Sequence, residues 1–212
     1  MAGPLLEAMG LACERGGRSL FQGIDLCLEA GQCVHVAGDN GTGKTSLLRI
    51  LAGLLQPTAG SVRWRGRDIA ATREEYGSEL AFVGHLNGSK EELSVLENLQ
   101  LEAAVRGCAL SEEAALDVLA RVGLEDFADL AVRQLSQGQR RRVALARLVG
   151  STPLLWILDE PYNALDAGAV ENLHGLIAGH RERGGIVILT AHQAIALPEG
   201  SRQLALVPGA ER

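Results

Sequence analysis

The residues best suited to chemistry in this chain stand at 38–45, which read GDNGTGKT. The glycines of this string allow a loop whose backbone N–H groups turn inward and bind phosphate oxygens. Lys44 adds a positive charge for the β- and γ-phosphates, and the hydroxyl of Thr45 is an oxygen ligand for Mg²⁺. We therefore predict a nucleotide-phosphate site with contacts from Gly38, Asp39, Asn40, Gly41, Thr42, Gly43, Lys44, Thr45 and Ser46.

The residues on either side of this loop predict a strand before it and a helix after it. The run QCVHVA at 32–37 is mostly apolar and suits a buried strand. After the loop, leucines recur at helical spacing from Leu47 to Leu55, and the turn-forming residues at 56–60 are expected to end the helix. Because this helix begins at the loop, its positive dipole end favours a bound phosphate.

Two carboxylates follow a second apolar run, LLWIL at 154–158. In open α/β sheets the carboxyl end of a buried parallel strand faces the ligand crevice. We therefore expect Asp159 to hold Mg²⁺ through its water shell, and Glu160 to polarise an attacking water. An Asp-Glu pair after a strand is often only a solvated pair, but the phosphate loop upstream favours the functional interpretation.

A third string, LSQGQ at 135–139, is followed directly by RRRVALAR. Ser136 is a good N-cap for the helix predicted here, and the N-terminus of such a helix can face an anion. A capped helix explains Ser136 but does not explain the whole string. The three arginines at 140–142 are the only dense basic run, and we interpret them as a helix face rather than a nucleic-acid patch.

The phosphate loop and the LSQGQ string together resemble the ATP-binding-cassette (ABC) family. In that family the signature, commonly LSGGQ, covers the nucleotide held by a second copy of the domain. The resemblance therefore implies ATP and Mg²⁺ as cofactors and a homodimer that sandwiches ATP. It also implies that Ser136, Gly138 and Gln139 contact the nucleotide of the partner copy, although Gln137 replaces the usual first glycine of the signature.

The same resemblance implies the catalytic roles. It assigns catalysis to Glu160, His192 and Lys44. His192 directly follows the apolar run IVILTA, which is the position of the family's switch histidine after the last core strand. In the family this histidine contacts the γ-phosphate, and here it could orient Glu160. The residues NALD at 163–166 resemble a loop that runs along the dimer interface, which adds Asp166 to the predicted contacts.

Two positions depart from the family's pattern. Gly84-His85 stands where the family has a glutamine that reaches Mg²⁺ and touches the membrane subunit. Because Mg²⁺ strongly prefers oxygen ligands, we expect His85 to contact the ion through water at most. The adenine-stacking aromatic of the family falls near Arg15, whose guanidinium plane can stack on a base.

The departures resemble one branch of the family, the ATP-binding subunits of bacterial cytochrome c maturation haem exporters. The string GHLNGSKEELSVLENL at 84–99, the opening LACERGGRSLFQGI and the tail RQLALVPG carry this resemblance. It implies membrane permease subunits of the cytochrome c maturation complex as partners, and a peripheral location on the cytoplasmic face of the inner membrane. ATP hydrolysis would drive release of a haem-loaded chaperone. We expect no direct haem binding, because there is no C-x-x-C-H motif and His35 suits a core position.

The pattern as a whole predicts an α/β fold with the core of a P-loop NTPase. Its continuous apolar runs are typical of a mostly parallel sheet that helices cover on both faces. We expect an N-terminal antiparallel β part and an inserted α-helical subdomain. The prediction is a single nucleotide-binding domain over 1–212, with its core at 1–86 and 150–212 and the helical subdomain at about 87–149.

Composition narrows the remaining classes of function. The net charge of −6 offers no basic field for nucleic acid, and no apolar stretch approaches the ~20 residues that span a bilayer. The N-terminus lacks the basic region of a secretory signal, and the four cysteines contain no C-x-x-C pair, which suits reduced thiols.

The sequence leaves two alternative functions open and disfavours a third. The chain could serve a transporter with a different cargo. It could be a weakly hydrolysing regulatory module, which the changed residues His85 and Arg15 would suit. An ATPase of DNA repair or translation is disfavoured, because we see neither a long coiled-coil insertion nor a second cassette, and the chain is acidic.

Overall fold

The computed structural model describes residues 3–85, 88–150, 153–191 and 197–207. Within these ranges the chain forms two β-sheets and six α-helices. The strands are β1 (Leu6–Arg15), β2 (Arg18–Leu28), β3 (Cys33–Ala37), β4 (Ala59–Trp64), β5 (Arg67–Asp68), β6 (Leu80–Val83), β7 (Leu155–Leu158), β8 (Ile186–Thr190) and β9 (Arg202–Ala205). The helices are α1 (Lys44–Leu51), α2 (Arg73–Ser78), α3 (Val95–Val105), α4 (Glu112–Arg121), α5 (Gln137–Val149) and α6 (Ala167–Glu182).

The larger sheet is parallel and has the strand order β6-β7-β8-β3-β9. Every residue of β7 and β8 is buried, which explains their uninterrupted apolar sequences. Because these strands run in one direction, their carboxyl ends lie along one edge of the sheet. That edge brings together the residues that follow β3, β6, β7 and β8, namely Gly38, Gly84, Asp159 and Ala191.

Alternate residues of the parallel strands pack into two different apolar clusters, one on each face of the sheet. Leu155 and Ile157 of β7 join a cluster that also holds Leu47 of α1 and the apolar residues of the antiparallel sheet. Trp156 and Leu158 point the other way, into a cluster with residues of α5 and α6. The predicted α/β fold with helices on both faces of a parallel sheet is confirmed.

The smaller sheet is antiparallel, with the order β2-β1-β4-β5, and confirms the predicted N-terminal β part. Strands β1 and β2 form a hairpin whose last register pair is Arg15↔Arg18. The inward residues Leu6, Leu11 and Phe21 are fully buried. The sheet therefore packs against the same cluster as α1, and its hairpin holds Arg15 close to the phosphate loop.

Helices α3, α4 and α5 stand between β6 and β7 in the chain and share a third apolar cluster. Helix α5 belongs to two clusters at once. Its residues Val143 and Ala146 pack with α3 and α4, whereas Ala144, Leu145 and Leu148 pack against the parallel sheet. The helix that begins at the LSQGQ string is therefore fixed to the core and to the helical region together.

Helix α1 is shorter than predicted. It ends at Leu51, whereas the leucine spacing indicated a helix that continues to the turn at 56–60. The N–H groups of Leu54 and Leu55 both donate to the carbonyl of Arg49, and Gly53 adopts φ +70°, which together close the helix. Leu54 is 62% exposed as a result.

None of the described helices is both long and apolar enough to cross a membrane. The longest of them, α6, has 16 residues, fewer than the ~20 that a span requires.

Candidate nucleotide site

The phosphate loop opens into a cleft of about 550 Å³ at the carboxyl edge of the parallel sheet. Gly43 stands at the N-cap of α1 with φ +97°, a left-handed conformation that glycine adopts at little cost. The N-terminus of α1 therefore faces the cleft with its positive dipole end. The cleft is lined by Arg15, Gly16, Leu20, Asn40, Gly41, Gly43, Lys44, Thr45, Ser46 and Glu160.

The side chain of Lys44 lies against its own loop. Its Nζ donates to the carbonyl oxygens of Gly38 at 2.7 Å and Asp39 at 3.1 Å. The hydroxyl of Thr42 also donates to the carbonyl of Asp39, at 2.9 Å. These contacts hold the loop closed around a positive charge, and the ammonium is placed where phosphate oxygens can replace the carbonyls.

Asp159 is buried at the carboxyl end of β7, with 2% of its surface exposed. Its Oδ1 accepts a hydrogen bond of 2.9 Å from the hydroxyl of Thr190. Its Oδ2 is also buried and has no hydrogen-bond partner among the described residues. A buried carboxylate oxygen without a hydrogen-bond partner destabilises the folded chain. This atom therefore marks a position that suits a bound cation and its water.

Glu160 is held in a strained backbone conformation beside Asp159. Its φ of +51° lies in the left-handed region, which costs a residue with a Cβ roughly 1–2 kcal/mol. Its N–H donates to the hydroxyl of Thr190 at 2.8 Å, and its Oε2 accepts from Nδ2 of Asn163 at 2.7 Å. Thr190 thus links both carboxylate residues through one oxygen atom.

Thr190 was not among the residues predicted from the sequence, although a signal for it exists. It is a polar residue at the end of the fully buried strand β8, next to the strand that carries the two carboxylates. A buried hydroxyl needs a hydrogen-bond partner, and the nearest strand end offers an aspartate. Asn163 was placed on the interface loop by resemblance, but its contact with Glu160 could not be read from spacing.

The three consecutive arginines of α5 do not form one common face. Arg140 donates to the carbonyls of Leu135 and Arg133, and Arg142 donates to the carbonyl of Gly123 at 2.7 Å. Arg141 is different because it is buried, with 4% of its surface exposed. The interpretation of the run as a helix face is therefore wrong for Arg141, because α5 packs on both of its sides.

The guanidinium of Arg141 lies beneath the turn that carries the two carboxylates. Nη1 donates to the carbonyl of Gly84 at 2.7 Å. Nη2 donates to the carbonyls of Asp159 at 2.8 Å and Glu160 at 3.0 Å, and Nε donates to that of Pro161 at 3.2 Å. Burial lowers the pKa of Arg141 below its usual value, and the nearby carboxylates of Asp159 and Glu160 offset part of this decrease.

The LSQGQ string begins α5 with a reciprocal cap, which confirms the predicted N-cap. The N–H of Gln139 donates to Oγ of Ser136 at 3.3 Å, and Oε1 of Gln139 accepts from the N–H of Ser136 at 2.8 Å. A Cβ on Gly138 would lie 2.6 Å from the carbonyl oxygen of Ala164, so glycine is needed for this close approach. Asp166 caps α6 by accepting from the N–H of Ala169 at 2.8 Å.

The structure does not bring the LSQGQ residues into the cleft of their own chain. Ser136, Gly138 and Gln139 are absent from the described residues that line it, whereas Arg15 and Glu160 line it together with the phosphate loop.

Two predicted residues remain to be placed. His85 follows β6 and is exposed, next to the Gly84 carbonyl that Arg141 binds. The described part of the chain contains no group of three or more His, Cys, Asp or Glu that could hold a metal ion. His192 lies outside the described residues, so its catalytic role stays a prediction.

His35 is a core residue, as predicted. It is buried in β3, and its Nε2 lies 3.4 Å from the backbone oxygen of Ala191. Burial lowers its pKa. The four cysteines are free thiols, two of them buried (Cys13 and Cys33) and two exposed (Cys27 and Cys108).

Comparison with known proteins defines the class of protein. The profile of the ABC transporter family matches residues 21–163, which is more than half of the chain. The chain belongs to the ABC transporter family.

Curated relatives over nearly the whole chain share one name, cytochrome c biogenesis ATP-binding export protein CcmA. The relative from Dechloromonas aromatica is 51% identical over 95% of this chain and 100% of its own length. That from Methylococcus capsulatus is 48% identical over 95% and 97% of the two chains. That from Pseudomonas fluorescens is 46% identical over 97% and 98%.

Solved structures are similar to the whole fold. A putative ABC transporter ATP-binding protein from Pyrococcus furiosus has a TM-score of 0.82 and 25% identity, with 95% of this chain and 96% of that chain covered. A dimeric ATP-binding cassette in a post-hydrolysis state with ADP and Pi has a TM-score of 0.80 and 26% identity, with 89% and 88% covered. The predicted family and the P-loop NTPase fold are confirmed.

Proposed function

We propose that this chain is the ATP-binding and hydrolysing subunit of a cytochrome c biogenesis export complex. The names of its relatives support the choice of complex. The observation that carries the activity is the buried Oδ2 of Asp159, which has no partner in the described chain and lies beside Glu160 at the edge where the phosphate loop opens. This arrangement suits phosphoryl transfer from ATP to water.

The donor set at this edge fits Mg²⁺. Oxygen atoms from Thr45 and Asp159 are the ligand type that this ion prefers, and Asp159 keeps one oxygen unpaired. When bound, Mg²⁺ would neutralise negative charge on the phosphate oxygens. We propose that Thr45 holds it directly and Asp159 through water. Exposed His85 would reach it through water at most.

The chain's own groups then have separate roles. Lys44 and the N–H groups of the loop bind the phosphates and orient the terminal one. The carboxylate of Glu160 accepts the proton of the attacking water, and Asn163 holds one of its oxygens in place. Arg15 lines the same cleft and would stack on the adenine. His192 would orient Glu160 and the γ-phosphate.

A second copy of the chain would complete each site. Within one chain, the capped N-terminus of α5 lies outside the cleft that holds the phosphate loop. In a head-to-tail homodimer, Ser136, Gly138 and Gln139 of one copy would cover the ATP of the other. The loop with Asp166 would run along the interface. We also propose that the chain is one nucleotide-binding domain over 1–212, with its core at 1–86 and 150–212 and the helical subdomain at about 87–149.

The membrane partner would be permease subunits of the cytochrome c maturation complex, with the chain peripheral on the cytoplasmic face of the inner membrane. We propose that this partner contacts the segment around Gly84 and His85, where the family has a glutamine that touches the membrane subunit. Hydrolysis would release the haem-loaded chaperone, without direct haem or nucleic-acid binding by this chain.

The experiment that tests the activity replaces Glu160 by Gln. We expect Glu160→Gln to bind ATP and to form a dimer in the presence of Mg-ATP, as measured by light scattering. It should release phosphate about 100-fold more slowly than the unaltered chain. Lys44→Ala is the matched control and should neither bind ATP nor dimerise. Unchanged turnover by Glu160→Gln without a trapped dimer would refute the proposal.

The choice of complex needs a separate measurement. Co-purification of the unaltered chain with its membrane partners should recover permease subunits of cytochrome c maturation. Recovery of unrelated permeases would assign the chain to a transporter with another cargo. Negligible phosphate release in the presence of the recovered partners would instead favour a regulatory ATP-binding module.

A further inference from the structure

The backbone after β7 adopts a conformation that needs support. Glu160 has φ +51°, and Ala164, four residues later, has φ +63°. Both residues carry a Cβ, so both conformations persist only where surrounding contacts hold them. The hydroxyl of Thr190 binds the N–H of Glu160 but leaves the carbonyl oxygens of the turn to other donors.

Arg141 supplies those donors from beneath the turn. Its guanidinium binds the consecutive carbonyls of Asp159, Glu160 and Pro161 at 2.8 to 3.2 Å. Three successive carbonyls that point to one side define the path of the chain through the strained residue. A planar group with five N–H donors in a fixed geometry can bind these three carbonyls and that of Gly84 together, whereas a lysine has only three donors for the four acceptors.

The same guanidinium reaches a second segment. It binds the carbonyl of Gly84 at 2.7 Å, and Gly84 directly precedes His85. Arg141 itself lies on α5, the helix that begins with Ser136. One side chain therefore joins the end of β6, the turn after β7 and the helix of the LSQGQ string.

Burial makes this arrangement demanding. A charged group that is 4% exposed is destabilising unless its donors are satisfied and opposite charge lies nearby. Arg141 meets both conditions here, with four carbonyls around it and the carboxylates of Asp159 and Glu160 close enough to act on it. Its neighbours Arg140 and Arg142 also donate to carbonyls, but both are partly exposed to solvent and neither binds the turn after β7.

We infer that Arg141 is a positioning residue, which fixes the strained turn that presents Asp159 and Glu160 and ties that turn to the backbone before His85. This role rests on the proposed ATP hydrolysis. This role predicts that a conformational change at His85 is transmitted to Glu160 through the carbonyl of Gly84 and the guanidinium of Arg141. Arg141 is not among the described residues that line the cleft, so its loss should impair the rate of hydrolysis rather than the binding of ATP.

The test compares Arg141→Gln and Arg141→Lys with Arg142→Gln in the full chain. Arg142 lies on the same helix but binds the carbonyl of Gly123, away from the turn. We expect both Arg141 variants to lower kcat for Mg-ATP about 10- to 100-fold, with the ATP KM within about threefold of the unaltered chain. Arg142→Gln should keep its kcat. A kcat equal to that of the unaltered chain in either Arg141 variant, whatever its KM, would overturn the role.

A second readout does not depend on turnover. Amide hydrogen exchange at 159–164 and at 80–85 should be about tenfold faster in both Arg141 variants and unchanged in Arg142→Gln. Arg141→Lys keeps the positive charge, so it can still be measured if Arg141→Gln does not fold. Unchanged exchange in folded Arg141→Lys would overturn the positioning role. If the unaltered chain itself hydrolyses no ATP, the proposed function fails, and hydrogen exchange alone decides the role of Arg141.

Discussion

Nδ2 of Asn163 donates a hydrogen bond to Oε2 of Glu160 at 2.7 Å. The two residues are only three positions apart, but the bond joins two parts with different proposed roles. Asn163 belongs to the loop that would run along the dimer interface, and Glu160 would accept the proton of the attacking water. A shift of this loop on dimerisation would therefore act directly on the carboxylate.

Removal of this hydrogen bond should slow hydrolysis without weakening ATP binding. We expect Asn163→Ala to lower kcat about tenfold, as a lost bond to a charged group worth on the order of 1.5 kcal/mol predicts. Phosphate release and ATP affinity measure the two effects. The control is Asn172→Ala, because Asn172 binds the distant carbonyl of Arg121 on the protein surface. A kcat of Asn163→Ala equal to that of the control would contradict the prediction.

The close contact between Gly138 and Ala164 should tolerate no side chain. A Cβ at 138 would meet the carbonyl oxygen of Ala164 at 2.6 Å, which forces the backbone to move. We expect Gly138→Ala to destabilise the fold by about 1–3 kcal/mol in thermal unfolding. Gly175→Ala is the matched control, since a Cβ there meets nothing within 4 Å. It should stabilise α6 by about 0.5–1 kcal/mol, and equal effects of the two changes would refute the contact.

Thr190 should be sensitive to loss of its hydroxyl and tolerant of loss of its methyl group. Thr190→Val leaves Oδ1 of Asp159 and the N–H of Glu160 without this partner. We expect it to lower the free energy of unfolding by about 1–3 kcal/mol and to slow hydrolysis. Thr190→Ser keeps the oxygen and should retain most of the rate. A Thr190→Ser variant as slow as Thr190→Val would argue against the bridge.

His180 should make the stability of the fold depend on pH. Burial lowers its pKa to about 4, and its ring stacks on Trp156 at 3.9 Å. Between its ordinary pKa of 6.5 and about 4, the unfolded chain binds a proton that the folded chain does not. Stability from this group is therefore complete above pH 6.5 and is lost as the pH falls towards 4.

The size of this effect can be measured by urea unfolding. Between pH 7 and pH 5 the contribution of His180 should fall by about 2 kcal/mol. Buried His35, whose pKa is also lowered, acts in the same direction, so the comparison needs a variant. His180→Phe keeps an aromatic ring against Trp156 but cannot be protonated. The same pH dependence in His180→Phe and the unaltered chain would rule His180 out as the source.

The sequence predicted the parts of the fold whose pattern is local. Strands β3, β7 and β8 were recognised because strands buried on both faces are continuously apolar. The phosphate loop was recognised because glycine, lysine and threonine at that spacing serve one chemistry. The end of α1 was placed too late, since Leu54 keeps the helical spacing although it lies beyond the closing turn.

Only the tertiary structure decided which distant groups meet. Arg140, Arg141 and Arg142 are identical in type and adjacent in sequence, but α5 packs on two sides and buries only the middle one. Its carbonyl partner Gly84 is 57 residues away in the chain. Periodicity along the sequence reports which residues share a face, whereas the partner of each face depends on the order of strands and helices in space. The sequence alone thus determined the family and the residues of the phosphate loop, and the packing of α5 against the sheet determined how the carboxylates are held.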